Sequence, residues 1–217
     1  AMFLASLALY LTGRLAEELI RDFTAARVFA LFIWAVFIIE MLMKYFPLGF
    51  ESMGCQKQFA KNYIPTKNAN NVPEKDLRIY DRGALLILIF WILLNGIVAI
   101  LYFTHIIDRG ILVLISLLYS VSDMICILFF CPFQTWFMKN KCCISCRIYT
   151  WDYILMFTPL LMIRNFFTCS LCITALGLML RWEYIYRKHP ERFSDRTNLS
   201  LHCSRCREKL CSHKKQL

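Results

Sequence analysis

Seven of the eleven cysteines lie outside apolar runs, and their spacing is the first chemistry the chain offers. Cys142, Cys143 and Cys146 make KCCISC. Cys203, Cys206 and Cys211 make HCSRCREKLCSH, flanked by His202 and His213, and Cys55 stands apart. A C-x-x-C pair brings two thiolates within reach of one metal ion, and a closed tetrahedral site needs four ligands at about 2.3 Å. The tail holds such a set in Cys203, Cys206, Cys211 and His213. Cys143–Cys146 with Cys203–Cys206 is the alternative, and it requires the two segments to meet. Zinc accepts four cysteines, or three with a histidine, and iron–sulfur clusters also take four thiolates. The expected metal ligands are thus Cys142, Cys143, Cys146, Cys203, Cys206, Cys211 and His213, with zinc or an iron–sulfur cluster as cofactor. Disulfides are the remaining use, favoured only in an oxidising compartment.

Cys126, Cys131, Cys169 and Cys172 lie within apolar runs, where a thiol behaves as a small hydrophobe. Soft thiolates also select soft metal ions. A transport path using the Cys142–Cys143 pair would require these four to line one cavity.

A second group of candidates sits in apolar sequence. Asp123 is thirteen residues into the run Gly110–Phe133, and an intramembrane carboxylate is costly unless paired, protonated or hydrated. Ser116, Tyr119, Ser120, Asp123 and Cys126 recur at helical spacing and form one polar stripe. Asn95, in the preceding run, is expected level with Tyr119 and Ser120, and Arg164 is the expected partner of Asp123. Such a cluster either ties two helices together or serves a proton, an ion or a lipid headgroup. Asp123, Arg164, Asn95 and Tyr119 are the catalytic or transport candidates. Glu40 and Lys44, four residues apart near a helix end, are expected to snorkel to water.

The elements that must position these groups are membrane helices. Of 217 residues, 59% are apolar and 18% charged, against about half and a quarter in soluble domains. Mean hydropathy is +0.51. This excludes whole-chain disorder, and seven Gly with six Pro exclude a fibrous chain. Gly83–Thr104 and Gly110–Phe133 each satisfy the roughly 20 apolar residues that span a bilayer. Only His105–Arg109 separates them, which predicts an antiparallel hairpin. Val28–Met43 is shorter and must borrow from its neighbours. Tyr153–Leu180 is interrupted by Pro159 and by Arg164–Asn165. It reads either as an interfacial piece, Asp152–Met162, before one spanning helix, or as two limbs turning at Arg164–Asn165.

The fold class is accordingly all-α: a polytopic helical membrane protein with three to four membrane-embedded segments, an N-terminal interfacial helix and a cytoplasmic Cys-rich layer. Residues 1–27 are the interfacial, amphipathic helix and 28–45 the first membrane helix. A polar loop covers 46–82, the hairpin 83–133 and a Cys-rich loop 134–152. Residues 153–181 are a membrane helix or re-entrant hairpin, and 182–217 a basic Cys-rich tail.

The net charge of +10 resides in three segments. Lys44–Arg82 has seven cations against four anions, Gln134–Asp152 three against one, and Arg181–Leu217 ten against four. Basic loops beside membrane helices stay in the cytoplasm. If 153–181 turns back, 20 cations collect on one side, which predicts a plasma (inner) membrane protein with its Cys-rich loops and tail inside. The charge then belongs to topology and anionic lipid, not to nucleic acid. Expected partners are the lipid bilayer and other membrane subunits.

Nucleotide-binding, zinc-protease and nucleophile-elbow motifs are absent. Asn198-Leu199-Ser200 is a three-residue match to a glycosylation sequon. Trp136, Trp151, Trp182 and Tyr184 fall at expected membrane edges, as in an aromatic belt. Three functions are therefore open. The first is a small metal-binding subunit of a larger membrane complex. The second is an enzyme or transporter for a lipid or ion built on Asp123 and Arg164. The third is thiol-mediated transport of a soft metal.

Overall fold

The computed structural model describes residues 7, 23–46, 56–66, 72–138 and 146–202. Most of the expected N-terminal helix, and Cys142, Cys143, Cys203, Cys206, Cys211 and His213, lie outside the described residues. The five long or packed α-helices among them are α1 (Phe23–Tyr45), α2 (Glu74–Phe103), α3 (Arg109–Leu128), α4 (Asp152–Phe157) and α5 (Phe166–Lys188). Asp76–Phe103, Arg109–Leu128 and Phe166–Lys188 are each long and apolar enough to cross a membrane. Many of their apolar side chains point outward, with Ile173 of α5 70% exposed. Contiguous exposed apolar surface of this kind is unfavourable in water and is what a lipid-facing helix presents.

Helices α2 and α3 are joined by the expected turn. His105 takes the left-handed conformation (φ 59°), and the Asp108 side chain caps α3 by accepting from Ile111 N at 2.9 Å. α2 begins nine residues before the apolar run, inside the stretch expected to be a polar loop. Glu74–Arg82 continues the helix because Leu77 and Tyr80 face apolar neighbours. Glu74 and Arg78 pair at 2.7 Å on the opposite side.

The fourth region resolves into two limbs. α4 runs into a 3₁₀ stretch, Thr158–Met162, with Pro159 near its start. Ile163 is extended, and α5 begins after Asn165, whose side chain forms a capping box with Thr168. The limbs are antiparallel: Cys172 Sγ donates to Phe157 O at 3.3 Å, and Trp151 Nε1 donates to Glu183 at 3.2 Å. Both flanking segments thus return to one end of the bundle. The turn at Arg164 reaches the level of the α2–α3 turn, since Arg164, Tyr102, Phe103 and Arg109 line one cavity. The 3₁₀ rise of about 2.0 Å per residue carries the first limb further than α-helical spacing would.

The core follows one stripe of α5. Leu171, Cys172, Ala175, Leu178, Trp182 and Tyr186 are buried at three-to-four-residue intervals. α1 packs along it: Trp34 Nε1 donates to Ser170 Oγ at 2.8 Å, and Phe37 meets Phe157 edge-on at 5.2 Å. Residues 152–162 lie against both hairpin helices. Ser116 Oγ donates to Met156 O at 2.8 Å, and Trp91 Nε1 reaches Thr158 Oγ1 at 3.4 Å.

At the end where these limbs return, residues 56–66 and 190–202 form a polar layer around Asn198. Thr66 N donates to Thr197 O at 3.1 Å and Leu199 N to Ile64 O at 2.9 Å. Asn198, 0% exposed, accepts from Ser200 N (3.0 Å) and Ile64 N (3.4 Å). Its Nδ2 donates to Lys57 O (3.0 Å) and Arg192 O (2.9 Å). The sequon asparagine is an interior hub rather than a surface acceptor. Phe59 lies tilted against Trp182 at 5.5 Å and Phe193 meets it edge-on at 5.9 Å, and the two fasten the layer to α5. Trp151 and Trp182 therefore do not belong to an aromatic belt. Only Trp136 and Tyr184 of the four are exposed.

Candidate functional site

Asp123 lies on the face of α3 that Tyr119 and Cys126 share, and these side chains line a cavity of about 110 Å³ inside the bundle. Trp91 of α2 closes one wall, its ring 4.6 Å from that of Tyr119. Cys131, Cys146 and Asp152 complete the polar lining, with Leu155 and Met156 supplying apolar surface. Asp123 forms no ion pair with any described residue.

Asp152 does form one. Lys44, only 4% exposed, pairs with Asp152 Oδ2 at 3.1 Å and lies 4.2 Å from the centre of the Tyr153 ring. Lys44 is therefore turned into the bundle instead of snorkelling, because α1 ends against the first turn of α4. Glu40 alone stays exposed. Asp123, Asp152 and Lys44 interact electrostatically across the cavity wall. Asp152 holds the ammonium directly, and Asp123 feels its charge without contact.

Arg164 is not the partner of Asp123. It lines a separate cavity of about 520 Å³ with Asn95, Tyr102, Arg109 and Thr158, at the end of the bundle opposite the polar layer. Asp123 lies near the layer end of α3, five residues before its last residue. Arg164 follows eleven residues of α and 3₁₀ helix that cover about 19 Å at their respective rises. Asn95 is also displaced from its expected place: the α2 residue facing Tyr119 is Trp91, one turn earlier. Asn95 Nδ2 donates to Trp91 O at 3.1 Å, while its Oδ1 is buried without a hydrogen-bond partner.

The cysteines divide. Cys126, Cys131 and Cys146 line the Asp123 cavity, whereas Cys172 packs against Phe157 in the α5 core, and neither it nor Cys169 reaches that cavity. The continuous thiol path expected for soft-metal transport is absent among the described residues. Cys146 is buried in an apolar cluster with Ala84, Ile87, Met138 and Trp151. No three His, Cys, Asp or Glu side chains among the described residues come together as metal ligands.

One polar constellation has no counterpart in the sequence reading. Arg147 pairs with Asp81, and with Glu183 through Nη2 at 2.5 Å and Nε at 3.3 Å. Its guanidinium lies 3.9 Å from the centre of the Tyr186 ring. Burial opposes the charge, but the hydrogen bonds and attraction of Glu183, with Tyr186 and Asp81, outweigh it and push the guanidinium pKa up. Glu183 was the available signal, a carboxylate within the last two turns of an apolar helix. Its partner could not be read off, because Arg147 is 36 residues away.

Fold and site together define an all-helical protein with three helices long and apolar enough to cross a membrane and a polar, ion-paired layer at one end. No protein-family model matches the chain, and no curated protein or solved structure matches it either.

Proposed function

We propose that this is an ion-handling membrane protein that takes up a small cation or a proton at Asp123 and Asp152. The observation that carries this reading is the charge balance at the cavity: two carboxylates and the single ammonium of Lys44 in a place walled by apolar side chains. A buried carboxylate without a counterion is unfavourable, so the surplus charge calls for a cation. Size decides between ion and lipid. A cavity of about 110 Å³ holds a few waters or an ion, well below the ~300–1,000 Å³ of typical organic-ligand pockets. The polar layer is assigned to the cytoplasmic side of the plasma (inner) membrane, on the strength of its lysines and arginines. The test is cation or proton flux into vesicles containing the purified protein, with Asp123→Asn alongside. Flux above empty vesicles that the variant loses supports the reading. Flux unchanged in Asp123→Asn, or none in either protein, overturns it.

A second reading concerns the tail. Cys203, Cys206, Cys211 and His213 bind zinc or an iron–sulfur cluster, making the chain a metal-bearing subunit of a larger complex. Two features support this ligand set over one sharing Cys143 and Cys146. Cys146 is turned into an apolar cluster, and His202, beside Cys203, is fastened to the layer by its Nε2 contact with Asp195 O at 2.6 Å. Metal and acid-labile sulfide analysis of anaerobically purified protein tests it. Metal lost in Cys206→Ser and kept in Cys146→Ser is expected, and protein without metal refutes it.

A further inference from the structure

The cavity at the opposite end from the polar layer has a composition the Asp123 site does not explain. Arg164 stands in the turn between the two limbs and Arg109 at the first turn of α3. Both line the cavity, and neither forms an ion pair with a described residue. The carboxylate beside them, Asp108, is engaged in capping Ile111 N. Two guanidiniums lining one concavity, neither ion-paired with a described residue, are a match for phosphate, whose oxygens accept their paired N–H groups. Asn95 adds to the cavity wall and is 5% exposed; its Nδ2 donates to Trp91 O and its Oδ1 is enclosed by protein. The Thr158 hydroxyl is engaged within the bundle, donating to Ile154 O and accepting from Trp91 Nε1. The charged groups the cavity presents are therefore the two arginines.

We propose that this cavity binds a phosphate ester, its phosphate held by Arg109 and Arg164. Its volume of about 520 Å³ is within the range of small-molecule sites. The arginines lie where helices with exposed Ile100, Phe103 and Phe166 end, at headgroup depth on the face opposite the polar layer. The same chemistry is offered by a glycerophospholipid headgroup and by a soluble sugar or glycerol phosphate.

The test uses the full chain in mild detergent, titrated separately with phosphatidylglycerol, phosphatidylcholine, glycerol 3-phosphate and inorganic phosphate, and read by native mass spectrometry and thermal shift. Arg109→Gln and Arg164→Gln alter exposed side chains and should fold normally. Each should weaken phosphate-ester binding roughly tenfold, whereas Lys188→Gln, at the other end of the bundle, should not. Selective binding of phosphatidylglycerol assigns the site to lipid, and binding of glycerol 3-phosphate without lipid selectivity assigns it to a soluble ester. Binding of none above phosphatidylcholine, or binding indifferent to both arginines, overturns the proposal, whatever the outcome at Asp123.

Discussion

Replacing Asn198 by alanine removes the hub of the polar layer and leaves four backbone groups without their partner. Three of the bonds lost are 2.9–3.0 Å long and the fourth, from Ile64 N, is 3.4 Å. At a net contribution of about 1 kcal/mol per bond the layer should lose ~3–4 kcal/mol, and more if the orphaned groups stay dry. The change is local, because Asn198 ties 56–66 to 190–202 while the α1–α5 core lies beneath. Hydrogen exchange by mass spectrometry on micelle-bound protein reads this directly. Amides of 57–66 and 190–201 should exchange roughly a hundred- to a thousandfold faster, since about 1.4 kcal/mol is a factor of ten, up to the limit set by global opening. Peptides from α5 should be unchanged. Asn198→Asp should fare no better, because it retains the acceptor but turns a carboxylate oxygen toward Lys57 O and Arg192 O. Exchange within threefold of the parent in Asn198→Ala, or a parent-like Asn198→Asp, would refute the reasoning.

Lys44→Met should cost about 3–5 kcal/mol by stranding the buried Asp152 carboxylate, and Lys44→Met with Asp152→Asn should recover most of it; additive losses in detergent-denaturation titrations would show that the two do not interact. Gly83→Ala would place a Cβ 2.7 Å from Phe137 O and 2.9 Å from Met138 Sδ, so a loss of about 1–3 kcal/mol is expected. Gly96→Ala and Gly177→Ala, with nothing within 4 Å, should be neutral or stabilising in the same thermal assay. Arg147→Lys should lose about 1.5–3 kcal/mol, because one ammonium cannot replace the forked contact with Glu183. The folded-state pKa of Arg147 is raised, so its contribution is complete below the ordinary guanidinium value and is lost only above it. The deficit of Arg147→Lys should therefore be constant from pH 6 to 9, and a deficit that vanishes within that range would count against the assignment.

Helix class, the hairpin and the interruption at Arg164–Asn165 were legible in the chain, because they depend on local quantities. Twenty apolar residues make a helix that belongs in lipid whatever its neighbours do, and a capping asparagine before Phe166 ends one limb and starts the next. Asp123 stood out for the same reason, as a carboxylate in an otherwise apolar run. What surrounds it did not. The choice of Lys44–Asp152 as the ion pair, the separation of Arg164 into another cavity and the use of Asn198 as a hub all join residues distant in sequence. They depended on helix rise, register and packing. A 3₁₀ stretch in place of an α-helical one moves Arg164 past the depth of Asp123, and α1 meeting the start of α4 turns Lys44 inward. Side chains identical in composition thus acquire different partners, and only the tertiary structure decides which charges are paired with each other and which are not.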